Sequence, residues 1–133
     1  MTKMNEDVKK VISNMKIFPV STSTKEGIPN VIPIAFVKVY DEDTLLIADN
    51  YLDKTYKNIE ENPYVSIYVC DTAEGKAYQI KGEAIINTSG KVYEDTVKWV
   101  KEVSSKLNPK SGVVVKITKI YNCQPGPKLG EEL

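Results

Sequence analysis

The sequence predicts a mainly β domain, a closed or half-closed barrel of six β segments with peripheral helices. Three observations lead there. Six β-rich runs fit into 133 residues, and several carry bulge or proline signals of the kind that bends strands at barrel corners. The helical stretches do not alternate with the strands, which argues against a doubly wound parallel sheet. The length suits one compact domain over 1–133, with a helix in 1–16 and a tail over 124–133.

Taken in order, residues 4–15 form an amphipathic helix with Met4, Val8, Val11, Ile12 and Met15 on one face. Glu6 and Asp7 fall in its first turn, where the helix dipole favours acids. Residues 17–24 alternate apolar and hydroxyl side chains as a half-buried strand does, and Lys25-Glu26-Gly27 turns the chain. Asn30 to Tyr40 reads as one long strand interrupted by Pro33, a residue that belongs at an edge, a bulge or a strand start. Asp41-Glu42-Asp43 closes a hairpin into a strand over 44–48. Asp53 is a candidate N-cap for a helix from Lys54 to Glu61, which Asn62-Pro63 ends.

Residues 64–71 form the next strand, and Glu74-Gly75 turns it into a long one over 76–87, with Gly82 at a bulge or close approach. Ser89 caps a helix over 91–107 with the stripe Tyr93, Val97, Val100, Ser104 and Leu107, and 112–122 is the last strand. The tail, rich in turn residues, is expected to order only by docking on the rest of the domain.

Composition narrows the function. Eighteen basic and eighteen acidic residues cancel, so a general nucleic-acid binder or an anionic-membrane binder is not expected. No apolar run approaches the roughly 20 residues of a membrane span. The polar start MTKMNEDVKK does not resemble a secretory signal, so a cytoplasmic protein is expected. The chain has no histidine, which removes serine–histidine and cysteine–histidine chemistry and most zinc sites, and no metal is expected. It has no arginine either: every basic residue is lysine, so an anion must be held by lysine, hydroxyls or backbone N–H groups. Cys70 and Cys123 lack a CxxC partner and read as reduced thiols.

Two stretches carry chemistry. In Asp49-Asn50-Tyr51-Leu52-Asp53-Lys54-Thr55 a strand end runs into a helix start, where unpaired N–H groups, a lysine and a hydroxyl make an anion site. Plain capping by Asp53 followed by a solvated lysine explains the same residues. In Gly27 to Phe36 a proline break frees backbone groups that can hydrogen-bond the edge of a flat ring, with Ile32 and Ile34 as apolar contacts. A bulged edge strand explains that stretch equally.

Together, GIPNVIPIAFV, TLLIADNYLDKTYKNIEENPYVSIYV and YQIKGEA resemble the pyridoxamine 5'-phosphate oxidase-like FMN-binding split-barrel family over residues 10–123. The resemblance implies a six-stranded antiparallel split β-barrel of Greek-key type and FMN as cofactor. It implies that Lys54 and Thr55 hold the flavin phosphate, and that the backbone of Ile32, Pro33 and Ile34 lines the isoalloxazine ring. Ala48, Asp49 and Asn50 match the adjacent strand end that touches the flavin, and Gln79 lies where a polar strand residue can face it. It further implies a homodimer with FMN at the interface, Trp99 and the Pro125-Gly126-Pro127 tail being contacts to the second subunit; helix packing also accounts for Trp99.

The name-giving oxidases grip their substrate with arginine and histidine, which this chain lacks. The expected activity is therefore an FMN-dependent oxidoreductase passing electrons or hydride to a small molecule or redox partner, not an authentic pyridoxamine-phosphate oxidase. Its catalytic residues are not identified. Two alternatives remain open: an F420-binding reductase on the same barrel, and a cofactor-free oligonucleotide-binding barrel using Tyr64, Tyr68 and Tyr78 with Lys76 and Lys81.

Overall fold

The computed structural model describes residues 2–133. Three helices and seven strands follow in the order α1 (Glu6–Asn14), β1 (Phe18–Ser23), β2 (Pro29–Ile34), β3 (Val37–Asp41), β4 (Thr44–Asp49), α2 (Lys54–Glu61), β5 (Tyr64–Asp71), β6 (Lys76–Asn87), α3 (Gly90–Val103) and β7 (Ser111–Asn122). All the strands join one antiparallel sheet in the order β2-β1-β5-β6-β7-β4-β3, curled into a half-barrel. The mainly β, antiparallel split-barrel expectation holds.

The strand count differs by one from the six expected, and the reason is topological. The run 30–40 is two strands, not one, because the chain bends at Ala35 and Phe36. Before the bend β2 pairs with β1 at one end of the sheet; after it β3 pairs with β4 at the other. A two-residue link between opposite edges forces the sheet to curl until its ends approach.

Inward residues fill the curl. Val20, Ile67, Ile80, Val115 and Ile117 are fully buried, and Val8, Val11 and Ile12 of α1 join the same cluster. Each such side chain contributes roughly 1.5–3 kcal/mol by leaving water. The Asn5 side chain caps α1 by accepting from the Val8 N–H at 2.9 Å.

Gly82 sits where β6 shifts register against β7. A Cβ there would lie 2.6 Å from both the Lys116 carbonyl oxygen and Val115 Cγ1, so only glycine lets the strands approach. α3 is shorter than the predicted 91–107. Lys101 folds over its end, donating to the Ser105 carbonyl at 3.1 Å and to Asn108 Oδ1 at 2.8 Å, and the chain leaves the helix after Val103. Thr96 and Val100 are the α3 residues fully buried on the sheet, so the expected stripe is right at Val100 but turned by one position near Val97.

The tail docks: Leu133 N–H donates to Ile120 O at 2.8 Å and Asn122 N–H to Glu131 O at 2.8 Å. Cys70 and Cys123 flank Ala77 from opposite sides of β6. Two strand spacings, about 9–10 Å, separate them, beyond the ~7 Å that a disulfide spans.

Gly82→Ala should destabilise the fold by about 1–3 kcal/mol through overpacking. Urea denaturation measures this, and an unchanged midpoint would contradict the close approach.

Candidate functional site

The seam of the half-barrel, where β2 faces the end of β4, brings the two chemistry-bearing stretches together. Thr24 N–H donates to Ile28 O at 3.0 Å, and this bond fixes the alternation along β2. Asn30, Ile32 and Ile34, paired with Thr22, Val20 and Phe18, then bond to β1. Pro29, Val31 and Pro33 turn their backbone polar groups to the free edge. Two of those three are prolines, so this edge offers three carbonyls and a single N–H. Such an edge resists pairing with another strand and accepts hydrogen bonds better than it donates them.

Against this edge lies a cleft of about 210 Å³. Ile32 to Phe36 form one wall; Ala48, Asn50 and Leu52 form the other, with Tyr51 and Leu107 at its side. No charged side chain lines it. Among the described residues, Asn50 Oδ1 is one of two buried side-chain oxygens without a hydrogen-bond partner. An orphaned acceptor of this kind costs free energy until a donor reaches it.

The other half of the site is the start of α2. Asp53 occupies the N-cap position, but its backbone (φ −126°, ψ −87°) carries the carboxylate away and it makes no capping bond. It pairs instead with Lys57 Nζ at 3.5 Å. The first turn is thus left without a side-chain cap. Along the flank of α2, Lys54, Lys57, Asn58 and Glu61 line a cavity of about 310 Å³ together with Asn30 of β2. Along β2, Asn30 and Ile34 are four residues apart, about 13 Å at strand spacing, so the two cavities lie within reach of one extended ligand.

Buried amides hold α2 in place. Asn58 Nδ2 donates to Thr22 Oγ1 at 3.0 Å, Asn62 Nδ2 to Ser23 Oγ at 2.9 Å, and Asn30 Nδ2 to Thr55 Oγ1 at 3.2 Å. Thr55 is 1% exposed, so its hydroxyl lies beneath the helix start, while Lys54 stands at the surface. Asp49 is fully buried between the two halves, with Oδ1 accepting from Leu52 N–H at 3.0 Å and Oδ2 from the Ser111 hydroxyl at 2.8 Å. Lys110 Nζ lies 4.0 Å from the same carboxylate.

Of the residues singled out from sequence, the structure brings Ile32, Pro33, Ile34, Ala48 and Asn50 into one cleft and sets Lys54 in the neighbouring cavity. Asp49 and Thr55 sit behind them. Gln79 lies on β6 between Tyr68 and Tyr121, and lines neither cavity. Lys110, Ser111 and Leu107 were not legible as site residues. Ser111 meets Asp49 across 62 positions of chain, and only the β4–β7 pairing unites them.

Trp99 packs within its own chain, its ring edge 5.4 Å from Phe36 at 72°, with Lys38 Nζ 4.5 Å above it. Nearby, hydrogen bonds from Lys91 and Tyr40 hold the Asp95 carboxyl below the usual carboxylate range, and the bond to Asp95 raises the Tyr40 phenol. These contacts fasten α3 beside the wall that Phe36 supplies.

A half-barrel seam with an uncharged cleft beside it defines a split-barrel protein. The family model for pyridoxamine 5'-phosphate oxidase matches residues 4–124, and the chain belongs to that family. It is similar to an uncharacterized protein of Methanocaldococcus jannaschii, 37% identical over 133 residues that cover 98% of this chain and 88% of that protein. Among solved structures it resembles HupZ of Group A Streptococcus (28% identical, 96% and 99% of the two chains, TM-score 0.83). The FMN-binding protein of Syntrophomonas wolfei shares the fold (21% identical, 91% and 86%, TM-score 0.78). So do an F420 reductase (18% identical, 88% and 98%, TM-score 0.66) and HutZ, the heme storage protein of Vibrio cholerae (17% identical, 91% and 95%, TM-score 0.69). The barrel therefore does not choose the ligand; the side chains in its seam must.

Asn58→Ala should cost about 1–3 kcal/mol, because Thr22 loses its buried donor. Denaturation with α2 amide exchange reads the effect, and a variant as stable as the parent would contradict the buried fastening.

Proposed function

We propose that this chain binds FMN in the β2–β4 seam and serves as an FMN-dependent oxidoreductase acting on a small molecule or redox partner. One observation carries the reading. An uncharged cleft with an orphaned amide oxygen lies about one strand's length from an uncapped helix start bearing a lysine. An amphiphilic ligand with a flat, hydrogen-bonding ring at one end and a phosphate at the other matches both ends.

In this reading Ile32, Ile34 and Phe36 exclude water from the ring. Asn50 Oδ1 and the free carbonyls of Val31 and Pro33 accept from ring N–H groups. Pro33 and Ala48 supply wall, and Lys54 with the first-turn amides of α2 neutralises the phosphate. Thr55 contributes its backbone N–H and, through Asn30, the placement of that turn. Bound flavin supplies hydride or single-electron transfer. The chain adds orientation and a dry, uncharged surround; among the residues lining the cleft, Tyr51 alone carries a titratable group.

Absence of arginine and histidine argues against the grip on substrate phosphate that an authentic pyridoxamine-phosphate oxidase needs. Lack of histidine also removes the usual protein ligand for heme iron. For F420, the Glu61 carboxylate in the anion cavity opposes a long acidic tail. A second copy of the chain fits the uncovered outer face, where Val31, Tyr64 and Tyr68 are exposed. From there Gln79 reaches the flavin of the other subunit.

The lone tryptophan reports the test, since Trp99 touches the wall of the cleft. FMN added to apo-protein should quench its emission to saturation. Lys54→Ala should weaken FMN by about tenfold or more, the scale of one charge-assisted hydrogen bond, and riboflavin far less. Lys10→Ala, at an exposed lysine of α1 that lines neither cavity, should change FMN affinity little. Equal losses in the two variants would contradict the phosphate assignment.

A further inference from the structure

The two halves of the site are anchored differently. The ring half is held by strand ladders: Ile32 and Ile34 by β1, Ala48 by Gly112 of β7, and Phe36 O by the Ala48 N–H at 3.0 Å. The anion half depends on α2. Its later turns are fastened by Asn58 and Asn62 and its first turn by Asn30 through Thr55, but that turn follows a four-residue link, Asn50 to Asp53, with no ladder.

Leu52 of that link is buried in the core, and its peptide is hydrogen-bonded by two side chains, Asp49 and Lys110. Asp49 ends β4, is 0% exposed, and directs Oδ1 forward to the Leu52 N–H and Oδ2 sideways to the Ser111 hydroxyl on β7. Lys110 sits 4.0 Å from the carboxylate and also donates to Leu52 O at 3.4 Å, so the Leu52 peptide is held at both its N–H and its C=O. A buried carboxylate is costly unless it is fully hydrogen-bonded, and this one is engaged at both oxygens. It has no exposed surface with which to meet a ligand.

We infer that Asp49 is a positioning residue: it touches no ligand but fixes the first turn of α2 relative to the ring cleft, through Leu52, Ser111 and Lys110. This rests on the FMN reading for its ligand and on the hydrogen bonds alone for its geometry. Loosening the brace lets the helix start drift while the strand-held cleft stays, so affinity for the phosphate falls and affinity for the ring does not. Asp49 thereby sets the preference for a phosphorylated flavin over an unphosphorylated one.

Asp49→Ala removes both acceptors, the one that the Leu52 N–H uses and the one that the Ser111 hydroxyl uses. FMN affinity should fall about tenfold, the worth of a hydrogen bond to a charged group, while riboflavin affinity changes less than twofold, about a third of that free energy. The FMN-to-riboflavin ratio, by titration calorimetry, is the readout, since a general loss of fold lowers both ligands alike. Ser111→Ala, which removes one partner and leaves the carboxylate, should move the ratio the same way by a smaller factor, and it carries the test if Asp49→Ala does not fold. An unchanged ratio overturns the inference.

Hydrogen exchange on the ligand-free variants decides the geometry separately. Amides from Leu52 to Tyr56 should exchange about tenfold faster with β5 and β6 unaltered; unchanged protection there overturns the inference. If the unaltered protein takes up neither flavin, the FMN reading fails, and this exchange measurement alone decides the role of Asp49.

Discussion

Only Ala35 and Phe36 separate β2 from β3, yet these two strands occupy opposite ends of the sheet. Everything else in the structure follows that constraint. A sheet whose edges are tied by two residues cannot lie flat, and it closes until β2 faces the end of β4. The closure hides Val20, Ile67, Ile80 and Ile117 inside. It also leaves a seam rather than a ladder, because Pro29 and Pro33 strip the β2 edge of donors where a further strand would pair. An unclosed seam lined by apolar side chains and backbone carbonyls is a ligand cleft by construction.

The second element of the site is attached by polar as well as apolar contacts. α2 packs Ile59 and Tyr56 on the core and docks further through Asn30, Asn58 and Asn62. Amide hydrogen bonds are directional where hydrophobic packing is not, so they fix where the helix points as well as whether it docks. Asp53 turns away to Lys57 and leaves the first turn without a side-chain cap, while Lys54, Lys57, Asn58 and Glu61 present the flank of the helix to the cavity beside β2. Asn50, one residue past the end of β4, lies between the two halves with its amide oxygen unsatisfied. That unmet acceptor is what the proposed ligand would satisfy.

Much of this was legible in the chain. Helices over 4–15 and 54–61, the long strands 64–71 and 76–87, the edge character of Pro33 and the bulge at Gly82 all follow from local rules of periodicity and backbone chemistry. The division of 30–40 into two strands was not legible, since β-branched residues continue across Ala35 and Phe36 and only the pairing partners reveal the break. Asp53 has the residue type of an N-cap but not the backbone angles, which sequence does not display. Ser111 and Lys110 carry no motif; they matter because β7 runs antiparallel to β4 and ends beside Asp49. The site's linear segments were thus readable, and its long-range brace was not.

Belonging to the pyridoxamine 5'-phosphate oxidase family narrows the chemistry without fixing it, as flavin, F420 and heme proteins share this barrel. The discriminating features are local: no histidine for iron, no arginine for a substrate phosphate, one uncharged cleft and one lysine at a bare helix start. The most direct measurement is the visible absorbance of the protein as purified, followed by mass spectrometry of the chromophore it releases on denaturation. The account predicts a flavin spectrum and the mass of FMN. A protein that is colourless and stays so after incubation with FMN, or one that releases F420 or heme, would contradict it.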